Sequence, residues 1–305
     1  MQLATKKRIG ILRGGAGKHY ASSLKRGGEI ISFLSEKLAD KYKPFDILID
    51  KDHIWHFGGL PIAPSDLVGK IDIIWNTSHP VFSNILESLS IPHLGTSSFS
   101  YALENSRDML REHMKKINVR LPRSVVLPVY QIDFDGPRER YSIKKAKEVF
   151  EKFPSPWTVR SFTPDKNMGI HLAKTFPELV QAIEDGVQSG NSILVEEFIT
   201  GKVASVHSVP NFRGEDVYTF PLSNTFGNFS SDEKQIFIDL VKNLHQHIGA
   251  EHYLKSDFTL TPSGHIYLLQ TQSVPDLQSE SHFSQVCDSV GVKMHQIIEH
   301  MLKSV

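Results

Sequence analysis

The chain has 305 residues, more than one hydrophobic core usually serves, so two or three subdomains around a shared cleft are expected. Lys and Arg together number 34, as do Asp and Glu; with this balance there is no global field to recruit nucleic acid or an anionic membrane, and any polyanion has to be held locally. The single cysteine, Cys287, excludes an internal disulfide framework and a cysteine-based zinc cluster, and reads as a small apolar filler in a reducing compartment.

The N-terminus is basic, but the apolar run over residues 9–12 is too short for a signal-peptide core, and no stretch approaches the roughly 20 apolar residues of a membrane span. A cytoplasmic protein is expected. Residues 8–13 read as a buried strand, Gly14-Gly15-Ala16-Gly17 as a turn, and residues 22–42 as an amphipathic helix with Ile30, Ile31, Leu34 and Leu38 on one face. Strands over 45–49 and 71–75 and a helix over 81–89 continue the alternation of a parallel sheet covered by helices, giving an α/β unit over residues 1–97.

The pattern changes near Ser97. One long helix is expected over 101–117, then a strand at 124–127, a charged helix at 142–153, a strand at 157–161, a helix at 176–189 and a strand at 192–199. These small mixed units suggest an α+β middle domain over 98–199. The last third, 200–305, offers strands at 204–210 and 216–220 and a helix at 231–248. Two further strands, 253–260 and 266–272, are joined by the turn Thr261-Pro-Ser-Gly264, and a terminal helix spans 295–302. Fifteen histidines are scattered without a metal-binding pair; His245 and His247, two apart, point to different sides of their helix, and the histidines read as ordinary polar residues.

Two motifs carry candidate chemistry. The glycine turn after the first strand could offer backbone N–H groups to an anion, but its spacing is neither a dinucleotide fingerprint nor a phosphate loop, and a plain strand-to-helix turn is the simpler reading. In the late hairpin, Asp257 lies on one strand while Gln270 and Gln272, two apart, share a face of the next. Three converging oxygen-bearing side chains are a way to bridge Mg²⁺ to nucleotide phosphates, although two of them are neutral amides and a hard dication prefers carboxylates. By itself the hairpin also reads as a polar strand surface.

Taken together the chain resembles the D-alanine–D-alanine ligases of the ATP-grasp superfamily over nearly its whole length and in the same order. Leu12-Arg-Gly-Gly-Ala-Gly17 with Ser23 is similar to their opening motif, and Leu86-Glu-Ser-Leu-Ser-Ile-Pro-His-Leu-Gly-Thr96 with Tyr101-Ala-Leu103 to their L-E-x-x-x-I-P-Y-x-G and S-A-L stretch. Trp157-Thr-Val-Arg-Ser161 resembles their V-K-P strand, Leu194-Val-Glu-Glu-Phe-Ile-Thr-Gly201 their adenine hinge, and Lys255-Ser-Asp-Phe258 with Tyr267-Leu-Leu-Gln-Thr-Gln272 their metal strands.

The resemblance implies an ATP-grasp fold: an N-terminal parallel α/β domain, a small central α+β domain and a C-terminal antiparallel-sheet domain. It implies ATP and Mg²⁺ as cofactors, D-alanine or a similar amino acid as substrate, a role in peptidoglycan precursor synthesis and a homodimer. Carried over by position, Arg107 and Arg160 hold phosphates, and Glu196 with Glu197, Ile199 and Leu269 forms the adenine site. Asp257, Gln270 and Gln272 face the metal, Lys255 steadies the tetrahedral intermediate, Ser281 and Ser23 lie on the substrate side, and His19 stands where a glutamate orients the first amino acid.

Departures from the family concentrate in these same positions. Arg107 and Arg160 replace lysines and Lys255 an arginine, changing donor geometry at each. Gln270 replaces the bridging glutamate and Gln272 an asparagine, Val203 replaces a ribose-binding glutamate, and Asp165-Lys166-Asn167 replaces a glycine-serine-serine run. Asn76-Thr-Ser-His79 stands for a histidine-glycine-glutamate loop, and the cleft-closing segment over 210–231 looks shortened. Two functions stay open, an ATP-dependent carboxylate–amine ligase and a weakly active or inactive ATP-grasp protein that binds nucleotide or a cell-wall precursor. A redox enzyme on the first unit is disfavoured by the glycine spacing.

Overall fold

The computed structural model describes residues 6–15, 17, 20–130, 134–162, 168–278 and 280–305. The first strand, β1 (Lys7–Gly14), is sealed at its centre, with Ile9, Ile11 and Leu12 fully buried, as expected of a strand covered on both faces. Helix α1 (Tyr20–Lys37) packs Ile30 and Leu34 beside it, and Gly27 permits the approach, since a Cβ there would lie 2.9 Å from the Arg13 side chain. The helix stops at Lys37, short of the expected 42, because Tyr42 already pairs with Lys7 as the first residue of β2 (Tyr42–Ile49). After β3 (Trp55–Phe57), β4 (Leu60–Pro61), β5 (Ile73–Asn76), α2 (Val81–Ser88) and β6 (His93–Leu94), the sheet order is β4-β3-β2-β1-β5-β6, with β2, β1, β5 and β6 parallel.

The single helix expected over 101–117 is two helices, α3 (Ser98–Asn105) and α4 (Arg107–Lys116). Ser106 separates them in an extended conformation (φ −138°, ψ 106°), and its hydroxyl accepts from the Met109 N–H at 3.3 Å. A serine at this point competes with the helix by capping a new one, which places Arg107 at the new N-terminus. The second sheet contains β7 (Ser124–Leu127), β8 (Trp157–Ser161), β9 (Ile170–Ala173) and β10 (Ile193–Glu197) in the antiparallel order β7-β10-β8-β9, with α5 (Arg138–Lys152) and α6 (Phe176–Gln188). Edge strand β9 was not foreseen; Ile170 is exposed, so it lacks the buried alternation that marks a strand.

The third sheet is built from β11 (Lys202–Phe212), β12 (Glu215–Thr219), β13 (Ser223–Phe226), β14 (Leu254–Leu260) and β15 (Ile266–Gln272), all antiparallel. The strand expected over 216–220 is β12, one residue earlier at each end, and the same segment, which looked shortened, also supplies β13. Helix α7 (Ser231–Ile248) begins in a capping box of Ser230 and Glu233 and ends at Gly249 with φ 63°, so both ends carry local signals. Helices α8 (His282–Ser289) and α9 (Met294–Lys303) close the chain. Their Phe283 and Ile297 share a core with Ile9 and Ile30, while Leu103, Leu110 and Met114 of α3 and α4 share one with Phe237 and Phe258. Among the described residues no helix is long and apolar enough to cross a membrane.

Candidate functional site

Cross-strand register in the third sheet sets Ser205, Asp257 and Gln270 in one row and His207, Lys255 and Gln272 in the next. Because members of the two rows are two residues apart on each strand, both rows share one face. Asp257 is 9% exposed. Its Oδ1 accepts from Ser205 Oγ at 2.5 Å, and its Oδ2 accepts from Gln270 Nε2 at 2.7 Å and faces the Lys255 ammonium at 3.2 Å. A bulge between Asp257 and Phe258 leaves Leu269 as an extra residue, and its carbonyl accepts from Arg107 Nη1 at 2.9 Å.

Arg107 also links the second cluster. Glu196, at the end of β10, is buried and accepts from Arg107 Nη2 on Oε1 and from Arg160 Nη2, 3.5 Å away, on Oε2. Glu196 and Arg160 stand on the same face of the second sheet, diagonal across the β8–β10 pair. Burial lowers both guanidinium groups from their ordinary value, and for Arg107 the neighbouring Arg160 and Arg111 add to the effect. Two cations therefore share one carboxylate inside a largely desolvated pocket.

Glu197 is paired with Arg123 through bonds of 2.9 and 2.8 Å, and Ile199 lies just past β10. Ser281 caps α8, accepting from Ser284 N at 3.1 Å while donating to the Asp276 carbonyl at 2.8 Å. Ser23, fully buried, accepts from Gly14 N at 2.9 Å, and Gly15 N donates to the Ile49 carbonyl at 2.7 Å, so these two turn N–H groups hold the turn itself. Glycine is required at position 14, where φ is +91° and a Cβ would meet Ile49 O at 2.2 Å. His19 and Asp165-Lys166-Asn167 lie outside the described residues. Cys287 is buried in an apolar setting that pushes its thiol up to about 12, the environment of a filler.

One cluster was missed. His207 is 2% exposed, with Nδ1 at 2.7 Å from the Tyr253 hydroxyl and Nε2 at 2.9 Å from His282 Nδ1, and its ring stacks on Phe283. Burial above all, then His282 and Lys255, pushes His207 down to about 3. His245 is also buried, its Nδ1 2.8 Å from Ser208 Oγ, so neither is an ordinary polar residue. The alternation of Ser205 and His207 along a strand was the available signal.

No family model matches the chain. A D-alanine–D-alanine ligase of Actinobacillus pleuropneumoniae is 22% identical over 321 aligned residues, covering 97% of each chain. Among solved structures, the D-alanyl-alanine synthetase A of Vibrio cholerae superposes with a TM-score of 0.72 at 17% identity, covering 98% of both chains. The Bacillus anthracis D-alanine–D-alanine ligase complexed with ATP superposes with a TM-score of 0.69 at 16% identity, covering 98% of this chain and 96% of that one. The chain is a distant relative of the D-alanine–D-alanine ligases. Its three sheets form an ATP-grasp fold.

The Mg²⁺ that this fold family implies can be tested against the donors present. Only one of the three expected ligands is a carboxylate, and both of its oxygens are already engaged. The Gln270 amide turns its NH₂ end to Asp257, since only that end can donate to a carboxylate, and Lys255 brings its own positive charge to the same oxygen. Among the described residues no group of three or more His, Cys, Asp or Glu side chains could hold a metal ion. This arrangement does not fit Mg²⁺, which favours several unengaged oxygen ligands.

Proposed function

We propose that the chain is an ATP-dependent carboxylate–amine ligase acting on D-alanine or a similar small amino acid, in the cytoplasm, in the supply of a peptidoglycan precursor. The reading is supported by end-to-end likeness to ligases and carried by one observation: Arg107 and Arg160 share a single buried carboxylate, which leaves one cationic charge for a polyanion. In this mechanism the amino acid carboxylate attacks the γ-phosphorus of ATP, giving an acyl phosphate and ADP. The second amine attacks the acyl carbon, phosphate leaves, and an amide bond remains. Such chemistry depends on charge stabilisation and positioning.

Arg107 and Arg160 take phosphate oxygens in exchange for part of their contact with Glu196. Glu196, Glu197, Ile199 and Leu269 then frame the adenine, and Lys255 faces the tetrahedral oxyanion. The test is release of ADP and phosphate from ATP, assayed with and without millimolar D-alanine. Phosphate release that requires the amino acid is the expected result; ATP hydrolysis indifferent to every amino acid tried would remove the ligase reading. The saturated Asp257 favours a second reading, a nucleotide-binding scaffold with little turnover, for which ATP raises the melting temperature and no phosphate is released.

A further inference from the structure

A cavity apart from the two polar clusters lies where the first α/β unit meets the last third of the chain. It is walled by α1, by the carboxyl ends of β5 and β6, and by the segment 273–277. Ser273 ties the two sides together: its N–H donates to Glu104 at 2.6 Å and its hydroxyl to Thr96 Oγ1 at 3.2 Å. In the parallel sheet β2 adds to one side of β1 and β5 to the other, so the strand order reverses between β1 and β5. In open α/β sheets the crevice beyond the strand ends at such a reversal is where ligands are held.

Two opposite charges face this cavity without meeting. Arg26 Nη2 donates to the Thr77 carbonyl at 3.2 Å and Nε is sealed, whereas Nη1, which is not sealed, has no acceptor among the described residues. Glu29 lies one turn further along α1 and lines the same cavity, and among the described residues no donor or ion-pair partner engages its carboxylate. Side chains three apart on a helix can pair, but here the guanidinium turns to Thr77 instead. Burial lowers Arg26 and raises Glu29 from their ordinary values, as expected of charges short of partners. Ile30, Leu94 and Val274 make the remaining wall apolar. A guanidinium N–H calls for a carboxylate and a carboxylate for an ammonium; a molecule that carries both close together on a small apolar body is an α-amino acid. The cavity volume, ≈ 30 Å³, limits the occupant to the smallest of them.

We propose that this cavity binds a small α-amino acid as its zwitterion, with the carboxylate on Arg26 and the ammonium on Glu29. Lys255, Ser281 and Ser23, to which the family likeness gives roles in the reaction, do not line it, so this is a site of its own. The test titrates glycine, D-alanine and L-alanine into the full chain without ATP, by calorimetry, with acetate and methylammonium as the separate halves. At least one of the three amino acids should bind about tenfold or more tighter than either half, and phenylalanine should not bind. Glu29→Gln and Arg26→Gln should each weaken binding at least about tenfold, the worth of one hydrogen bond to a charged group. If Arg26→Gln does not fold, the near-isosteric Glu29→Gln decides alone. No binding of any of the three at millimolar concentration means a cavity that holds only water and overturns the proposal. Acetate, methylammonium or phenylalanine binding as tightly as the amino acid overturns it, as does unchanged affinity in Glu29→Gln. Binding lost in Lys255→Met but kept in Glu29→Gln would place the amino acid in the cleft and also overturn it. Because no measurement uses ATP, a missing ligase activity leaves the cavity site intact, and an empty cavity leaves the ligase reading intact.

Discussion

The two polar clusters of the cleft balance charge differently. Around Glu196, two guanidinium groups converge on one buried carboxylate, so a positive charge is left over. Around Asp257, one ammonium meets one carboxylate while Ser205 and Gln270 fill the other acceptor sites. The first cluster leaves one positive charge unmatched, whereas in the second the charges match and both carboxylate oxygens are engaged. Under the proposed function, uncompensated charge, more than the identity of an aligned residue, is what draws a phosphate, because a buried charge with no partner is costly and one with a full set of partners has little to gain.

The largest expected effect breaks the first cluster. Glu196→Ala would leave Arg107 and Arg160 buried together without a counter-charge, and urea unfolding should record a loss of about 3–5 kcal/mol. A loss below about 1 kcal/mol would mean that solvent already screens both arginines. Gln270→Glu makes the second cluster resemble a metal site. It replaces a donor 2.7 Å from Asp257 by a like charge and should cost about 1–3 kcal/mol in the absence of metal. It should also create a rise in melting temperature with Mg²⁺ that the unmodified chain lacks. A comparable rise in the unmodified chain without nucleotide would contradict the saturated Asp257.

Buried histidines add a pH dependence to the Asp257 side. His207, lowered to about 3, and His245, lowered to about 4, both mainly by burial, are neutral when folded. Unfolded, they titrate near 6.5, so below that pH the unfolded chain binds more protons. Their contribution is complete above about 6.5 and declines as pH falls toward the folded values, by about 1.4 kcal/mol per pH unit for each well inside the window. Denaturant midpoints measured from about pH 7 to pH 5, above most carboxylate titration, should fall less steeply in His207→Leu. The smallest effect belongs to the helix break that delivers Arg107: Ser106→Ala removes the cap of α4 and should cost about 1 kcal/mol by thermal unfolding.

Several elements were legible without the fold. The buried run of β1, the amphipathic α1, the 231–248 helix between its capping serine and Gly249, and the hairpin strand at 266–272 all follow from periodicity and end signals within one segment. Period two likewise placed Gln270 and Gln272 on one face, and the family resemblance singled out Arg107, Arg160 and Glu196. The break at Ser106, the edge strand β9 and the short strand β13 are not legible in the sequence, because weak or exposed segments take their conformation from a capping bond or a neighbouring strand; the strand expected over 216–220 is β12, one residue earlier at each end.

What the amino-acid order determined by itself is therefore the set of strong local elements and the residue types available to the cleft, since backbone geometry imposes its periods on any segment that must bury one face. Only the tertiary structure decided which side chains meet. Arg107 reaches the Leu269 carbonyl across 162 positions because a one-residue bulge turns that carbonyl outward, and Lys255 comes to lie between His207 and Gln272 through the register of three strands. Register and bulges arise from long-range pairing and packing, and in this chain they determine whether a carboxylate is open to a metal or closed by its own neighbours.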